Sequence, residues 1–320
     1  MSDRRKATTF RLPPAPRGYP IIGNMLQLGK MPHLTLTNLS KTYGPIMSLK
    51  LGSTTTILIS SSTMAKEVLK THDEIFVDRP VLDAMRALDH HEYSIAVLPA
   101  SEKWRYLRKI LTMEMFTSQR LNGSQELRQA KVTQLLDHVD KCCENNQTVL
   151  VGRASFITSL NFISNTLFSK DVASYDDSHA SNEFYELTRG IMVQTGLPNI
   201  SDYFPSLRWC DPQGLRQKTK LMMEKMAAMI EKIVNQRLQD GTSPTHNDML
   251  DNLLKIQKED VSEFNRKDLD HFLLLDVVPV RIRCLCIGSA STVGIELPTS
   301  YVVRSGLLLF LQMGEKVVTE

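Results

Sequence analysis

Apolar residues recur at helical spacing through most of the chain. Beyond Ser101 the period predicts helices over Glu102–Met113, Ser124–Glu144, Arg153–Phe168, Asn182–Thr195, Gln213–Gln239 and Asn247–Lys258, and a further one starting over Lys267–Asp276. Ahead of Ser101 the pattern is mixed. Leu34, Leu36 and Leu39 set a helix over His33–Tyr43, stopped by Gly44-Pro45. Ile46–Leu51 and Thr55–Ser60 are rich in β-formers, and Gly52-Ser53 between them predicts a hairpin. Ser62–Lys70 reads as a short helix, and Phe76–Ala100, broken by Pro80 and Pro99, as irregular. In Leu12–Asn24, Pro13, Pro14, Pro16 and Pro20 hold the backbone extended, as a linker or an edge segment. The prediction is a mainly α fold with a small β-hairpin or sheet.

The pattern changes after Asp276. Val277–Glu320 loses the helical period and carries Pro279, Gly288, Gly294, Pro298 and Gly306. Its apolar run, Leu307–Leu311, is too short to span a bilayer. Met1–Arg11 is polar and basic, with neither a signal peptide nor a membrane anchor. Three stretches follow: a polar start (1–11), a body (12–276) and a divergent tail (277–320).

Composition narrows the function classes. The 320 residues are 42% hydrophobic, enough for one sizeable core. Lys and Arg number 38 against 35 Asp and Glu, which points to no acidic partner. The basic residues are scattered apart from Lys103, Arg105, Arg108 and Lys109, so no stripe exists for nucleic acid. Five cysteines (Cys142, Cys143, Cys210, Cys284 and Cys286) show no regular spacing, which argues against a disulfide framework and for a reducing compartment.

Some residues carry chemistry. Trp104 and Arg108 lie four apart on one helical face, and an indole N–H and a guanidinium both donate to a carboxylate. The other reading is a Trp packed under an Arg stem. Ile95, Ala96, Val97 and Leu98 offer an apolar wall for a ligand, or ordinary packing of a loop. His90, His91 and Glu92 lack the separated second group of a zinc site, so no metal site is assigned. Gly18–Gly23 lacks the Lys and Ser/Thr of a phosphate loop. Met222, Met226, Met229, Ile230, Ile233 and Val234 form a stripe that reads as the buried face of an amphipathic helix.

The body resembles the N-terminal part of plant cytochromes P-450, in the terpenoid-hydroxylating group that includes geraniol hydroxylase and ferruginol synthase. The resemblance rests on LPPAPRGYPIIGN, LSKTYGPIMSLKLGS, MAKEVLKTHD, RALDHHEYSIAVLPASEKWRYLRK, SLNFISNTLFS, PNISDYFPSLRWCDPQG and DLDHFLLLD, collinear over about 260 residues. Ala15 stands where the family usually has Gly. The resemblance implies an incomplete cytochrome P-450 fold, a haem held by a cysteine thiolate, and insertion of one oxygen atom from O2 into an apolar small molecule such as a terpenoid. It implies electrons from NADPH through NADPH-cytochrome P-450 reductase, at the cytosolic face of the endoplasmic reticulum membrane. By the same resemblance Trp104 and Arg108 hold a haem propionate. The loop of Arg79-Pro80 and Arg86–Leu98 overhangs the haem with Ile95–Leu98 toward the substrate, and Lys103, Arg105 and Lys109 face the reductase. The resemblance also implies that the stripe on the long later helix, with the loop before it, can touch the membrane.

Three family motifs are expected beyond Asp276: the acidic-alcohol pair A/G-G-x-D/E-T-T, the ion pair E-x-x-R, and F-x-x-G-x-R-x-C-x-G, which supplies the thiolate. VVPVRIRCLCIGSAS follows instead, and Pro279 would break the central helix. Cys210 lacks the two glycines of the ligand loop, and Cys286 lacks most of the motif. No catalytic residue is therefore assigned, and the chain is expected to be inactive as it stands. The tail is expected to come from a shifted reading frame or a retained intron. The alternatives are a non-catalytic fragment and a helical ligand-binding or interaction module.

Overall fold

The computed structural model describes residues 12–29, 31–175, 179–239, 248–260 and 263–276. The polar start, the tail, Cys284 and Cys286 lie outside them. In chain order the elements are α1 (Pro32–Tyr43), β1 (Ile46–Leu51), β2 (Thr54–Ile59), α2 (Ser62–Lys66), α3 (Glu102–Leu111), α4 (Ser118–Gly123), α5 (Gln125–Glu144), α6 (Val151–Phe168), α7 (His179–Gly196), α8 (Ile200–Tyr203), α9 (Leu215–Gln239), α10 (Met249–Glu259) and α11 (Arg266–His271). The described chain gathers into two compact units. One holds the described residues up to Val77 with Pro198–Gln213; the other holds Asp78–Leu197 and residues 214–276.

The smaller unit is built on the predicted hairpin. β1 and β2 pair antiparallel, with Met47 opposite Leu58 and Leu51 opposite Thr54. Alternation sends Met47, Leu49 and Leu51 inward, against Leu36 of α1. Leu34, counted with that face from sequence, is exposed. The proline-rich segment is an edge rather than a linker. Ser48 donates from its backbone to Pro14 O (2.9 Å) and from its hydroxyl to Pro13 O (2.8 Å). Gly23, at φ +63°, passes so close to β1 that a Cβ there would sit 2.0 Å from Lys50 O. Gly52 opens the hairpin turn at φ +60°. Beyond it, Ser53 donates to Tyr203 O from both its backbone N–H (2.9 Å) and its hydroxyl (2.6 Å).

The larger unit is helical. The stripe on α9 narrows to Leu215, Thr219, Met223, Met226, Ile230 and Val234, all buried, while Met222, Met229 and Ile233 flank that face half-buried. Leu107 and Ile110 of α3, Leu160 and Ile163 of α6, Phe184 and Ile191 of α7, and Leu250 and Leu253 of α10 fill the same core. Several predicted helices end in a wider π turn: α2 passes into Glu67–Thr71, α3 into Thr112–Phe116 and α11 into Phe272–Asp276. The stretch taken as irregular contains 3₁₀ turns over Asp83–Glu92. No helix of the described residues is long and apolar enough to cross a membrane.

Candidate functional site

Ser101 starts α3, and its hydroxyl accepts the backbone N–H of Trp104 at 3.2 Å. That cap fixes the position of Trp104, whose indole Nε1–H donates to the carbonyl of Ile95 at 3.0 Å. One turn later the Arg108 guanidinium lies over the indole, 4.9 Å from the ring centroid. It is exposed and has no hydrogen-bond partner among the described residues. The two predicted residues thus share a face, but their donors are divided. The indole N–H is engaged by Ile95, and the guanidinium is open.

The same bond ties the predicted apolar wall to α3. Val97 is buried, Ile95 and Leu98 pack half-buried on the larger core, and Ala96 donates its N–H to Ser94 Oγ at 3.2 Å. The backbone leading to them is strained. Leu88 (φ 54°) and Asp89 (φ 55°) are both left-handed, a conformation that costs roughly 1–3 kcal/mol for each such residue. The turn they make lets Ala87 and His90 both enter the interior. Arg216 of α9 holds this loop from another side, 3.4 Å from the buried carboxylate of Asp83.

His90 Nδ1 lies 3.0 Å from His271 Nδ1 on α11. The His271 ring stacks on Tyr93 at 4.8 Å and 9°. Lys103 completes the group, 4.1 Å from the Tyr93 centroid and 2.7 Å from Asp268 Oδ1. Asp268 is buried and closes a capping box with Asn265 at the start of α11. Burial, then the neighbouring His271 and His91, holds His90 down to about 3. Burial also lowers His271, against the pull of Asp268. Arg86 Nη1 lies 3.3 Å from His91 Nε2 on the same loop.

Sequence reasoning missed this group. It placed Lys103 on a basic face with Arg105 and Lys109; those two are exposed, while Lys103 is paired with Asp268. The available signal was the spacing of Asp268 and His271, three apart at the start of an apolar helix. A polar hollow of about 250 Å³ lies elsewhere in this unit, against Gln134, His138, Asn161, Asp171 and Tyr175. Its groups answer one another: Lys131 sits 2.6 Å from Asp171, and Tyr175 pairs with Thr158 at 2.8 Å.

The family profile for cytochrome P450 matches residues 13–275. The chain belongs to the cytochrome P450 family. It is 45% identical over 267 residues to cytochrome P450 76T24 of Catharanthus roseus, covering 82% of this chain and 53% of that protein. It is 42% identical over 278 residues to a ferruginol synthase of Salvia miltiorrhiza, covering 86% of this chain and 55% of that protein. It is 40% identical over 271 residues to a drimenol monooxygenase of Persicaria hydropiper, covering 84% and 54%. The chain spans about half the length of these curated relatives.

Membership in the P450 family implies haem, and the described residues fit it at one edge. Arg108, open and cationic, suits a haem propionate. Trp104 supports Arg108 from below rather than offering a second donor. The iron's ligand is a different matter. Among the described cysteines, Cys142 is buried 3.8 Å from His138, Cys143 is exposed on the same helix, and Cys210 donates its thiol to Leu207 O at 3.2 Å. Cys142 and Cys143 lie within α5, and Cys210 lacks the two glycines of the family's ligand loop. Among the described residues Arg108 suits a propionate and no axial ligand is assigned, so no step through the iron is derived.

Proposed function

We propose that this chain carries the propionate edge and one pocket wall of a haem-dependent P450 monooxygenase acting on an apolar small molecule, a terpenoid or its like. The observation that supports it is the continuous arrangement of Arg108, Trp104 and Ile95. An open cation stacks on an indole whose N–H grips the loop that supplies the apolar wall. The names of the ferruginol synthase and drimenol monooxygenase relatives favour a terpenoid. When bound through a thiolate, haem supplies the activation of O2. This chain's own residues do the rest of what is assigned here. Arg108 anchors a propionate, Trp104 holds the wall in register, and Ile95, Val97 and Leu98 keep water from the substrate.

The whole enzyme would draw electrons from NADPH through its reductase at the endoplasmic reticulum membrane. Arg105 and Lys109 are the open members of the basic face, and the exposed Trp209 and Leu207 favour contact with lipid. The 320-residue chain alone is proposed not to turn over, since its described cysteines are badly placed as ligands. We also keep the division into a P450 body (12–276) and a divergent tail (277–320), the tail arising from a shifted frame or a retained intron.

A second reading, a helical module that binds an apolar ligand without oxidising it, is favoured by the closed core behind the loop. Leu160, Ile163, Phe184, Met223 and Phe264 are all fully buried. One measurement separates the two. The chain is expressed with haem and its reduced, carbon-monoxide-bound spectrum is recorded. Haem uptake weakened by Arg108→Ala, without the Soret shift of thiolate ligation, is the expected result. A thiolate spectrum would overturn the proposed inactivity. Folded protein with no haem uptake would favour the module.

A further inference from the structure

His90 and His271 are brought together across 181 residues of sequence, and neither has a place in the reading above. Two imidazole Nδ1 atoms at 3.0 Å are a hydrogen bond only when one carries a proton and the other does not. With both rings neutral they hold opposite tautomers, since two bare or two protonated Nδ1 atoms would repel. His90 is fully buried and its Nε2 has no partner among the described residues. A bare acceptor is the less costly group to leave unpaired, so His90 is assigned as the Nδ1–H donor and His271 as the acceptor.

The pair closes a chain of contacts. His90 O accepts the Ser94 N–H at 2.9 Å, and Ser94 O accepts the N–H groups of Val97 (3.1 Å) and Leu98 (2.9 Å). On the other side, Tyr93 stacks on His271 and lies under Lys103, which pairs with Asp268. We propose that His90 and His271 form a latch of complementary tautomers that holds the loop Asp83–Leu98 on α11 and opens on proton uptake.

The charges around the pair favour that behaviour. On the loop, His91 raises the cost of a proton on His90, and Asp89 acts on His271 in the opposite sense. On α11, Asp268 would welcome a proton on His271 but is held by Lys103 of α3, while Lys267 opposes it. On α9, Arg216 is matched by Asp83. The first proton therefore places a charge on a buried ring that has no carboxylate of its own. A second would turn both Nδ1 atoms into donors facing each other. Burial, with His271 and His91, keeps His90 neutral down to about 3, so the protonated rings belong to the opened loop.

That the latch governs a substrate pocket rests on reading Ile95–Leu98 as its wall; the latch itself does not. Its test therefore uses neither haem nor turnover. Hydrogen exchange at the Ser94, Val97 and Leu98 amides is compared at pH 7.5 and 5.5 in the full chain, after correction for the intrinsic rate. Protection is expected to fall about tenfold, since the opened loop takes up protons that the closed one refuses. His90→Phe should remove most of that dependence. A fall under threefold, or a tenfold fall that persists in His90→Phe, overturns the proposal. Imidazole nitrogen shifts of the wild-type chain read the tautomers directly, whatever the variants do. Opposite tautomers support the latch, and identical ones sink it.

Discussion

Arg237, largely covered, and His90, fully buried, are polar side chains of the larger unit, and their surroundings differ in one respect. Arg237 is surrounded by acceptors. Its guanidinium donates to both Asp248 oxygens (2.9 and 2.8 Å), to Asp251, and to the carbonyl of Phe168 (3.1 Å). Asp248 in turn accepts from Ser169 Oγ (2.8 Å) and caps α10 through the Asp251 N–H (3.1 Å). The hydrogen bond to Asp248 raises Arg237 above its ordinary range despite burial. Among the described residues His90 has one partner, another imidazole, and an orphaned nitrogen. A buried charge that is fully answered fixes α6, α9 and α10 together. A buried neutral ring that is half answered leaves its loop open to a change of protonation.

The sharpest way to break the contrast is Arg237→Ala. It strands two carboxylates, and breaking a buried pair typically costs about 3–5 kcal/mol. Urea denaturation at pH 7.5 should show a midpoint lowered accordingly. A loss under about 1 kcal/mol would mean that solvent reaches the site and that the two clusters are alike.

The histidine pair predicts a smaller effect of defined sign. Both rings have pKa values below the unfolded value near 6.5. The stability they contribute is whole above that value and is lost as pH falls toward the folded value, about 3 for His90. Between pH 7.5 and 5.0, His90 alone should cost on the order of 2 kcal/mol. Denaturation curves of wild type and His90→Phe, taken across that window, should converge as pH falls.

Below these stands Trp104→Phe. The ring and its cation–π partner are kept, but the bond to Ile95 O goes, for about 1 kcal/mol. The readout is exchange at the loop amides together with the denaturation midpoint. A loop as well protected as in the wild type would show that Trp104 does not hold the wall.

How far the sequence carried follows from the physics of each element. α6, α9 and α10 were legible within a few residues because each buries apolar residues along its length, and they leave a period; α5 was legible too, though only Lys131 and Cys142 of it are buried. The π turns were not, since one extra residue in a turn barely disturbs the apolar spacing. α4 was missed because it buries no residue at all. At the site, the spacing of Trp104 and Arg108 correctly put them on one face. It said nothing about Ile95, whose backbone carbonyl leaves no mark in the sequence. Asp268 and His271 were visible as a helical pair, but the loop they meet is set by Leu88 and Asp89 in left-handed conformations, which Leu rarely adopts.

Arg108→Ala is the smallest perturbation of stability and the most informative about function. The side chain is exposed and engages no acceptor among the described residues. Stability should therefore change by under about 0.5 kcal/mol, as for surface sites away from caps and cores. Haem affinity should fall instead, since a cation donating to a carboxylate is among the stronger polar contacts a site of this kind makes. Arg108→Lys should restore only part of it, because an ammonium keeps the charge and loses the fork. Equal haem affinity in all three chains would remove Arg108 from the site, while leaving the indole, the loop and the histidine pair where they are. A variant that unfolds would show that the cation on the indole is structural after all, and would place Arg108 with Arg237 rather than apart from it.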